Sequence, residues 1–262
     1  MHYELLENIA QKNALRDVSP YIKLAVGLGS IILTLLSTSF ITPLVLAITL
    51  STSLLVIARI DLHLYRNLLA APLLFAVVSV AAIVLITGKG EVFWNWQPFA
   101  WLSLSITSHS VNQGLLVFSR VMGGMCAMFF IALTTPMTEL FIVMRQCHVP
   151  SVILDLAMII YRSIYILIDQ VSQIRNAQIM RLGYSSPREA LNSFGNLCGS
   201  VFIASWEEGE DLVRAMDARC YDGRFAMLGT CRSIEVYPLL ISVVYLGGAS
   251  VLLLTTGTAT FG

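Results

Sequence analysis

The sequence predicts an all-α, polytopic membrane protein with about five transmembrane helices and a charged three-helix segment on the cytoplasmic side. Three observations predict it. Of 262 residues, 56% are hydrophobic and only 12% are charged, about half of the usual charged share of roughly 25%. Five apolar runs approach the roughly 20 residues that a membrane helix needs. One stretch, residues 136–235, gathers 11 of the 16 acidic residues and nine of the arginines.

The elements follow in chain order. Residues 1–20 contain Glu4, Glu7, Lys12, Arg16 and Asp17 and lack the apolar run of a signal peptide. The first hydrophobic segment is therefore expected to remain as an uncleaved anchor. Spans are expected near 21–38, 41–58, 68–87, 113–134 and 236–255. The uncharged turn STSFIT joins the first two. Residues 88–112 contain Trp94, Trp96, Pro98 and Trp101. Tryptophan at this density suits the membrane–water interface, so an interfacial loop is expected, with or without a short helix.

Basic residues set the orientation. With the N-terminus inside, the cytoplasmic parts hold Lys12, Arg16, Lys23, Arg59, Arg66 and the nine arginines of 136–235, which is 14 of the 16 basic residues. Lys89 lies outside and Arg120 lies within a span. The opposite orientation inverts the positive-inside bias. Five spans then place the C-terminus outside. The domains are expected at 1–135 with four spans, 136–235, and 236–262 with the last span.

Segment 136–235 reads as three helices. The first covers about 136–147, with Thr135 as N-cap and Pro136 at the first helical position. Met137, Leu140, Phe141, Met144 and Cys147 make one apolar face, and Pro150 ends it. The second runs from about 151 to 182. Asp155, Arg162 and Asp169 recur in it every seven residues and so share one stripe. LGYSSP terminates it. The third runs from about 188 to 219, with Glu210 and Arg214 spaced to pair at i,i+4 and YDG as its stop.

Several chemistries lack their signatures. The chain has no H-E-x-x-H, no G-x-S-x-G and no Walker A sequence. Five cysteines, at 126, 147, 198, 220 and 231, form no C-x-x-C pair, so neither a zinc site nor a disulfide framework is expected. Zero net charge gives no reason to expect a nucleic-acid partner. Met122, Met125 and Met128 recur every third residue. They read as packing residues ahead of a soft-metal path. His109 reads as structural. A charge at mid-depth such as Arg120 costs several kcal/mol unless it finds a partner. It is either a functional contact or a link to another helix, with a carbonyl cluster or a partner subunit as its mate.

Two helix ends remain. AQIMRLGYSS brings Arg181, Gly183 and Tyr184 to the end of the second helix. RAMDARCYDG brings Arg219, Cys220, Tyr221 and Gly223 to the end of the third. One arginine at a helix C-terminus has an ordinary role against the helix dipole, worth roughly 0.3–1 kcal/mol. Two such tips also suit docking into acidic grooves, because guanidinium pairs bidentately with carboxylates.

On these and neighbouring motifs the chain resembles the transmembrane T component of an energy-coupling-factor (ECF) transporter, in its cobalt/nickel branch, the CbiQ family. The resemblance rests on DVSPYIKL, TTPMTELFIVMRQCHVP, YRSIYILIDQVSQIRNAQIMRLGY and EDLVRAMDARCYDG. It covers most of the chain and is strongest from Pro136 to Gly223. It implies that 136–235 is a cytoplasmic coupling domain whose two long helices carry alanine–arginine–glycine-like signatures, with Arg181 and Arg219 as the ATPase-coupling arginines. Met180 stands in place of the alanine of the first signature. Cys220 stands where the family generally has glycine, although cysteine resists left-handed backbone angles. The resemblance further implies a scaffold that is not an enzyme and binds no metal or cofactor itself. Its partners would be a dimer of cytoplasmic ABC ATPases, which carry ATP and Mg, and a metal-capturing membrane S component. Cobalt and nickel stay open. So do a vitamin-type T component and, in a different class, an intramembrane enzyme with a cytoplasmic regulatory cap. The sparse intramembrane charge argues against a self-sufficient channel.

Overall fold

Helix length and apolarity divide the chain into spanning and non-spanning parts. The computed structural model describes residues 13, 15, 18–86, 92–99, 102–221 and 236–257. Lys12, Arg16, Lys89, Trp101, Gly223 and Cys231 lie outside the described residues. Among the described residues are eight α-helices and one hairpin: α1 Pro20–Leu36, α2 Ile41–Thr52, α3 Leu62–Ile86, β1 Val92–Phe99, β2 Leu102–Thr107, α4 Ser108–Thr134, α5 Met137–Gln146, α6 Ser151–Met180, α7 Pro187–Ala218 and α8 Val236–Thr256. The architecture is thus an all-α, polytopic one. The chain divides into two compact units, Met1–Leu140 with Thr230–Gly262, and Phe141–Gly229. The division falls inside α5.

Among the described residues, four helices are long and apolar enough to cross a membrane: Leu62–Val84, Ser110–Thr134, Ser151–Met180 and Val236–Thr256. Two more apolar helices are shorter. α1 has 17 residues, and α2 runs directly into a π turn at Ser53–Ile57. At 1.5 Å per residue a 17-residue helix is about 25 Å long, just short of the roughly 30 Å hydrocarbon layer. The π turn closes with the Ala58 N–H donating to Ser53 O at 3.1 Å. Arg59 then takes a left-handed φ of 51°, which ends the helix.

Three sequence expectations change here. α4 begins at Ser108, five residues before its expected span. α3 begins at Leu62, six residues before the expected span. The reason is Tyr65, which is buried and hydrogen-bonds the Cys126 sulfur at 3.6 Å. Core packing carries the helix past Arg66, where hydropathy alone places a boundary. Within the expected interfacial segment 88–112 the described residues form strands in place of an irregular loop or short helix. They hold the antiparallel hairpin β1–β2, in which Trp94 pairs with Ile106 and Trp96 with Leu104. The alternation LSLSIT is a period-two strand signal. Pro98 sits within the register irregularity between Trp96 and Phe99, where a missing ladder donor is tolerated.

In the first unit, α4 packs against α1, α2 and α3. Leu50, Leu54, Tyr65, Ala127, Phe130 and Leu133 are among the residues of the core between them. Gly123 allows the close approach. A Cβ there would lie 2.7 Å from Thr34 Cγ2 and 2.9 Å from the Pro43 carbonyl oxygen. α8 closes the unit through hydroxyls: Thr42 with Thr256 at 2.8 Å, Thr49 with the Tyr245 hydroxyl at 3.0 Å, and Thr38 donating to Gly257 O at 3.0 Å.

Two cations tie α1 to α4. Lys23 Nζ donates to Thr134 O at 3.1 Å. Arg120 donates from Nε and Nη2 to Ser37 O at 3.1 and 2.5 Å. Each cation leaves one helix and meets the C-terminal end of the other. Those ends carry unpaired carbonyls and the negative pole of the helix dipole. Arg120 therefore has a backbone carbonyl of a neighbouring helix as its mate, the structural link among the two roles open from sequence.

Replacing Arg120 by Met should destabilise the chain by about 1.5–3 kcal/mol, the usual size of a hydrogen bond to a charged group. Arg120→Lys should recover part of the loss. The measurement is the thermal unfolding midpoint of the detergent-solubilised chain. An unchanged midpoint in Arg120→Met would show that the link carries no stability.

Candidate functional site

The second unit consists of most of α5 together with α6 and α7. Its local sequence explains its element ends. α5 begins at Met137 rather than at Pro136. The Thr135 hydroxyl is buried and makes no hydrogen bond, so the expected N-cap does not form. Instead the Glu139 and Leu140 amides donate to Pro136 O. α7 is capped by Ser186, whose hydroxyl accepts from the Glu189 amide at 3.3 Å. Ser185 donates to the Glu189 carboxylate. The Ser–x–x–Glu spacing at 186–189 is a readable capping signal.

The two arginine-bearing ends have the same backbone geometry. At the first, Arg181 is the C-cap and Leu182 has φ 58°. Leu182 N–H donates to Ile179 O at 3.0 Å and Gly183 N–H to Gln178 O at 2.9 Å. At the second, Arg219 is the C-cap and Cys220 has φ 52°. Cys220 N–H donates to Asp217 O at 3.0 Å and Tyr221 N–H to Met216 O at 3.1 Å. Both are Schellman closures, with the arginine one residue before the left-handed position. Cys220 thus adopts the left-handed angle, as Leu182 does. α5 ends in the same way, with His148 at φ 62° and longer bonds of 3.3 and 3.4 Å. In the sequence this third end is hidden by Pro150, which stops the helix on its own account.

The glycine at the first end has a different role from the one its type suggests. Leu182, not Gly183, takes the left-handed angle. Gly183 permits close approach: a Cβ would lie 2.6 Å from Ser193 Oγ and 3.0 Å from Gln178 O. Around it, Tyr184 Oη donates to Gln178 Oε1 at 2.9 Å, Gln178 Nε2 to Ser193 O at 2.9 Å, and Ser193 Oγ to Gly183 O at 2.7 Å. This network braces the end of α6 against the start of α7. Gln178 and Ser193 carry no sequence signal of their own. Tyr184 lies three residues past its arginine and Tyr221 two past its own, so the tyrosines are not equivalent positions of the two ends.

Arg181 and Arg219 are both exposed. Among the described residues, neither guanidinium has a hydrogen bond or an ion pair. α7 is exposed along most of its length, including Leu191, Phe194, Phe202, Trp206 and Val213. Its expected pair forms: Arg214 Nη2 lies 3.1 Å from Glu210 Oε2. Both groups are exposed, so the pair is worth about 0.3–0.5 kcal/mol. The stripe Asp155, Arg162 and Asp169 does not share one environment. Asp155 is buried, whereas Arg162 and Asp169 are exposed. The three methionines likewise diverge, Met122 packing on the core and Met128 being exposed. Among the described residues no group of three His, Cys, Asp or Glu side chains is gathered as a metal site.

Two substitutions test the end geometry. Gly183→Ala should cost about 1–3 kcal/mol, the range for forced overpacking, because the new methyl displaces Ser193. Proteolysis at 182–186 should become faster, and an unchanged rate would refute the close-approach role. Cys220→Gly should stabilise the last turn of α7 by up to about 1 kcal/mol, because glycine relieves the left-handed strain. Hydrogen exchange at the Cys220 and Tyr221 amides reads this out. Faster exchange would contradict the assignment.

Comparison with known proteins adds the family. Residues 11–227 match the family model described as "CbiQ: Cobalt transport protein". The chain is 40% identical over 223 residues to a protein of Methanocorpusculum labreanum named putative fused cobalt transport protein CbiMQ, covering 85% of this chain and 37% of that one. It is 33% identical over 245 residues to an uncharacterized protein of Methanocaldococcus jannaschii, covering 94% and 91%. It is 26% identical over 222 residues to the energy-coupling factor transporter transmembrane protein EcfT of Limosilactobacillus fermentum, covering 80% of each. The chain therefore spans about a third of the first relative and most of the other two. With four helices able to cross a membrane and a match over most of its length, this multi-pass membrane protein belongs to the CbiQ family of cobalt transport proteins.

Proposed function

We propose that this chain is the transmembrane scaffold of an ECF-type importer for cobalt or nickel ions. In this role it couples ATP hydrolysis by a cytoplasmic ABC ATPase dimer to a metal-capturing membrane S component. The observation that carries this reading is the pair of exposed arginines, Arg181 and Arg219, without partners among the described residues, on two helix ends of one geometry. Two equal plugs suit two copies of one partner. Gly183 and Tyr184 brace the first plug, and Tyr221 closes the second.

The supporting chemistry is consistent. A guanidinium on a helix tip enters an acidic groove with bidentate bonds. ATP-driven closure of the ATPase pair would shift both tips together as a rigid-body transition. The scaffold itself would hold no cofactor, with ATP and Mg on the ATPases and catalysis there. The charge bias places the N-terminus and the α5–α7 segment on the cytoplasmic side. α6 has a span-like composition, yet Asp155, Arg162 and Asp169 favour the membrane surface over its interior. The CbiMQ relative is named as a fusion, which supports a second membrane subunit beside a chain of this type.

Arg181→Glu and Arg219→Glu should each weaken ATPase binding and metal uptake, and the double variant should lose both. Like charge at a partly desolvated contact should cost at least the roughly 2–5 kcal/mol seen on truncating one member of a buried charge pair. A dipole role alone predicts a local loss of less than about 1 kcal/mol and normal assembly. The assay is ATPase pull-down together with uptake. Parent-like assembly and uptake by the double variant would overturn the proposal.

A further inference from the structure

The α4–α5 joint contains a buried lysine that neither arginine end explains. Lys23 is 2% exposed and is the largest fully buried side chain among the described residues. Its Nζ donates to Thr134 O at 3.1 Å and lies 3.6 Å from Glu139 Oε2. Thr134 is the last residue of α4 and Glu139 lies in the first turn of α5. One ammonium therefore holds both helices on either side of the two-residue link Thr135–Pro136. Asn13, itself buried, donates from Nδ2 to Leu133 O at 3.1 Å. The two side chains together hold two consecutive carbonyls at the end of α4.

The joint is an expensive way to gain stability. Taking an ammonium and a carboxylate out of water costs several kcal/mol per ion, and apolar replacements of buried pairs are often neutral or stabilising. Glu139 Oε2 is buried and accepts no hydrogen bond. Lys23 supplies its charge compensation. The hydroxyls of Thr135 in the link and of Ser19 just before α1 are also buried without hydrogen bonds. A joint built on buried charge fixes a geometry rather than a depth of energy.

The geometry in question is that of α5. Its first turn is pinned by Lys23. Its later half is packed through Phe141, whose ring meets Tyr161 edge-on at 6.0 Å, and Tyr161 in turn meets Tyr165 at 5.4 Å. Tyr161 and Tyr165 lie on α6, the helix that ends in Arg181. The single helix α5 thus carries the Phe141–Tyr161 contact on one side of the division and the Lys23–Glu139 contact on the other. Discrete packed contacts of this kind pass on motion because they do not deform continuously.

We propose that Lys23 is a positioning residue for coupling, and that its ion pair with Glu139 pins α5 to the end of α4 and α1 so that movement of the long helices is delivered to the membrane helices. This rests on the scaffold reading above.

The test uses the assembled importer in proteoliposomes and reads three quantities: ATPase recovered with the chain, ATP hydrolysed, and metal ions moved. Lys23→Met should assemble and hydrolyse ATP like the parent, while metal moved per ATP falls roughly tenfold, within the range of an allosteric coupling. Glu139→Gln should lower the ratio as well, and Lys23→Arg should restore most of it. The double variant Lys23→Met/Glu139→Gln should be no worse than Lys23→Met, because both changes break one contact. A parent-like ratio in Lys23→Met overturns the pin. If Lys23→Met does not fold, Glu139→Gln decides, and a parent-like ratio there overturns it equally. Failure of the parent chain to recover any ATPase would instead refute the scaffold reading, and is distinguished by that readout alone.

Discussion

The first unit depends on the exchange of cations between α1 and α4. Lys23 on α1 meets the end of α4, and Arg120 on α4 meets the end of α1. Each charge sits in surroundings that penalise it, and each finds the partial negative charge that a helix C-terminus presents. The two contacts lie near the two ends of α1 and at the end and middle of α4, and so set the register of this antiparallel pair. α4 then serves as the post against which α2 and α3 pack. Gly123 brings the backbones close enough for the hydroxyls and small side chains to mesh, which is how helices associate when lipid offers no hydrophobic gain.

The second unit follows a different logic. Its long helix α7 buries Leu197 but leaves Leu191, Phe194, Phe202, Ile203, Trp206 and Val213 exposed. A surface helix of a self-contained domain would bury one stripe. The left-handed residues Leu182 and Cys220 add local strain at the points where the arginines project. Strain of this kind persists where surrounding bonds hold it. At the first end, the Gln178, Ser193 and Tyr184 bonds do so.

How much of this was legible in the sequence differs by feature. The α5–α7 boundaries were readable to within about two residues, because Pro150, LGYSSP and YDG are chain-local signals. α3, α4 and α8 were readable as spans from composition, but α1 and α2 are shorter than the spanning helices and α6 is as long and apolar as they are. The early start of α3 depends on a contact between Tyr65 and a residue 61 positions away. The hairpin is hard to see in the sequence because the tryptophans of 94–101 mask the alternation of LSLSIT. At the site, the arginines were visible as residues, but their equivalence was visible only in the backbone. Gly183 marks the turn in sequence, yet Leu182 carries the positive φ. The Thr135 cap failed because a proline after it fits both a capped start and an uncapped one. The partners of Lys23 and Arg120 lie 111 and 83 residues away, beyond any local pattern.

The hydroxyl pairs that seat α8 have a consequence for biosynthesis. The first unit is discontinuous, with the second unit inserted ahead of its last helix. Thr42 and Thr49 therefore wait for Thr256 and Tyr245 until the intervening chain has emerged. Thr49 and Tyr245 are 196 residues apart, so at about 5–20 residues per second that wait is on the order of 10–40 s. During that interval, the face of α1 and α2 that will receive α8 borders lipid or the insertion machinery, with its hydroxyls bonded back to their own helix, as Thr49 is to Val45 O. The last helix thus acts as a late-arriving keystone, and truncation before it leaves an arch that was nearly built.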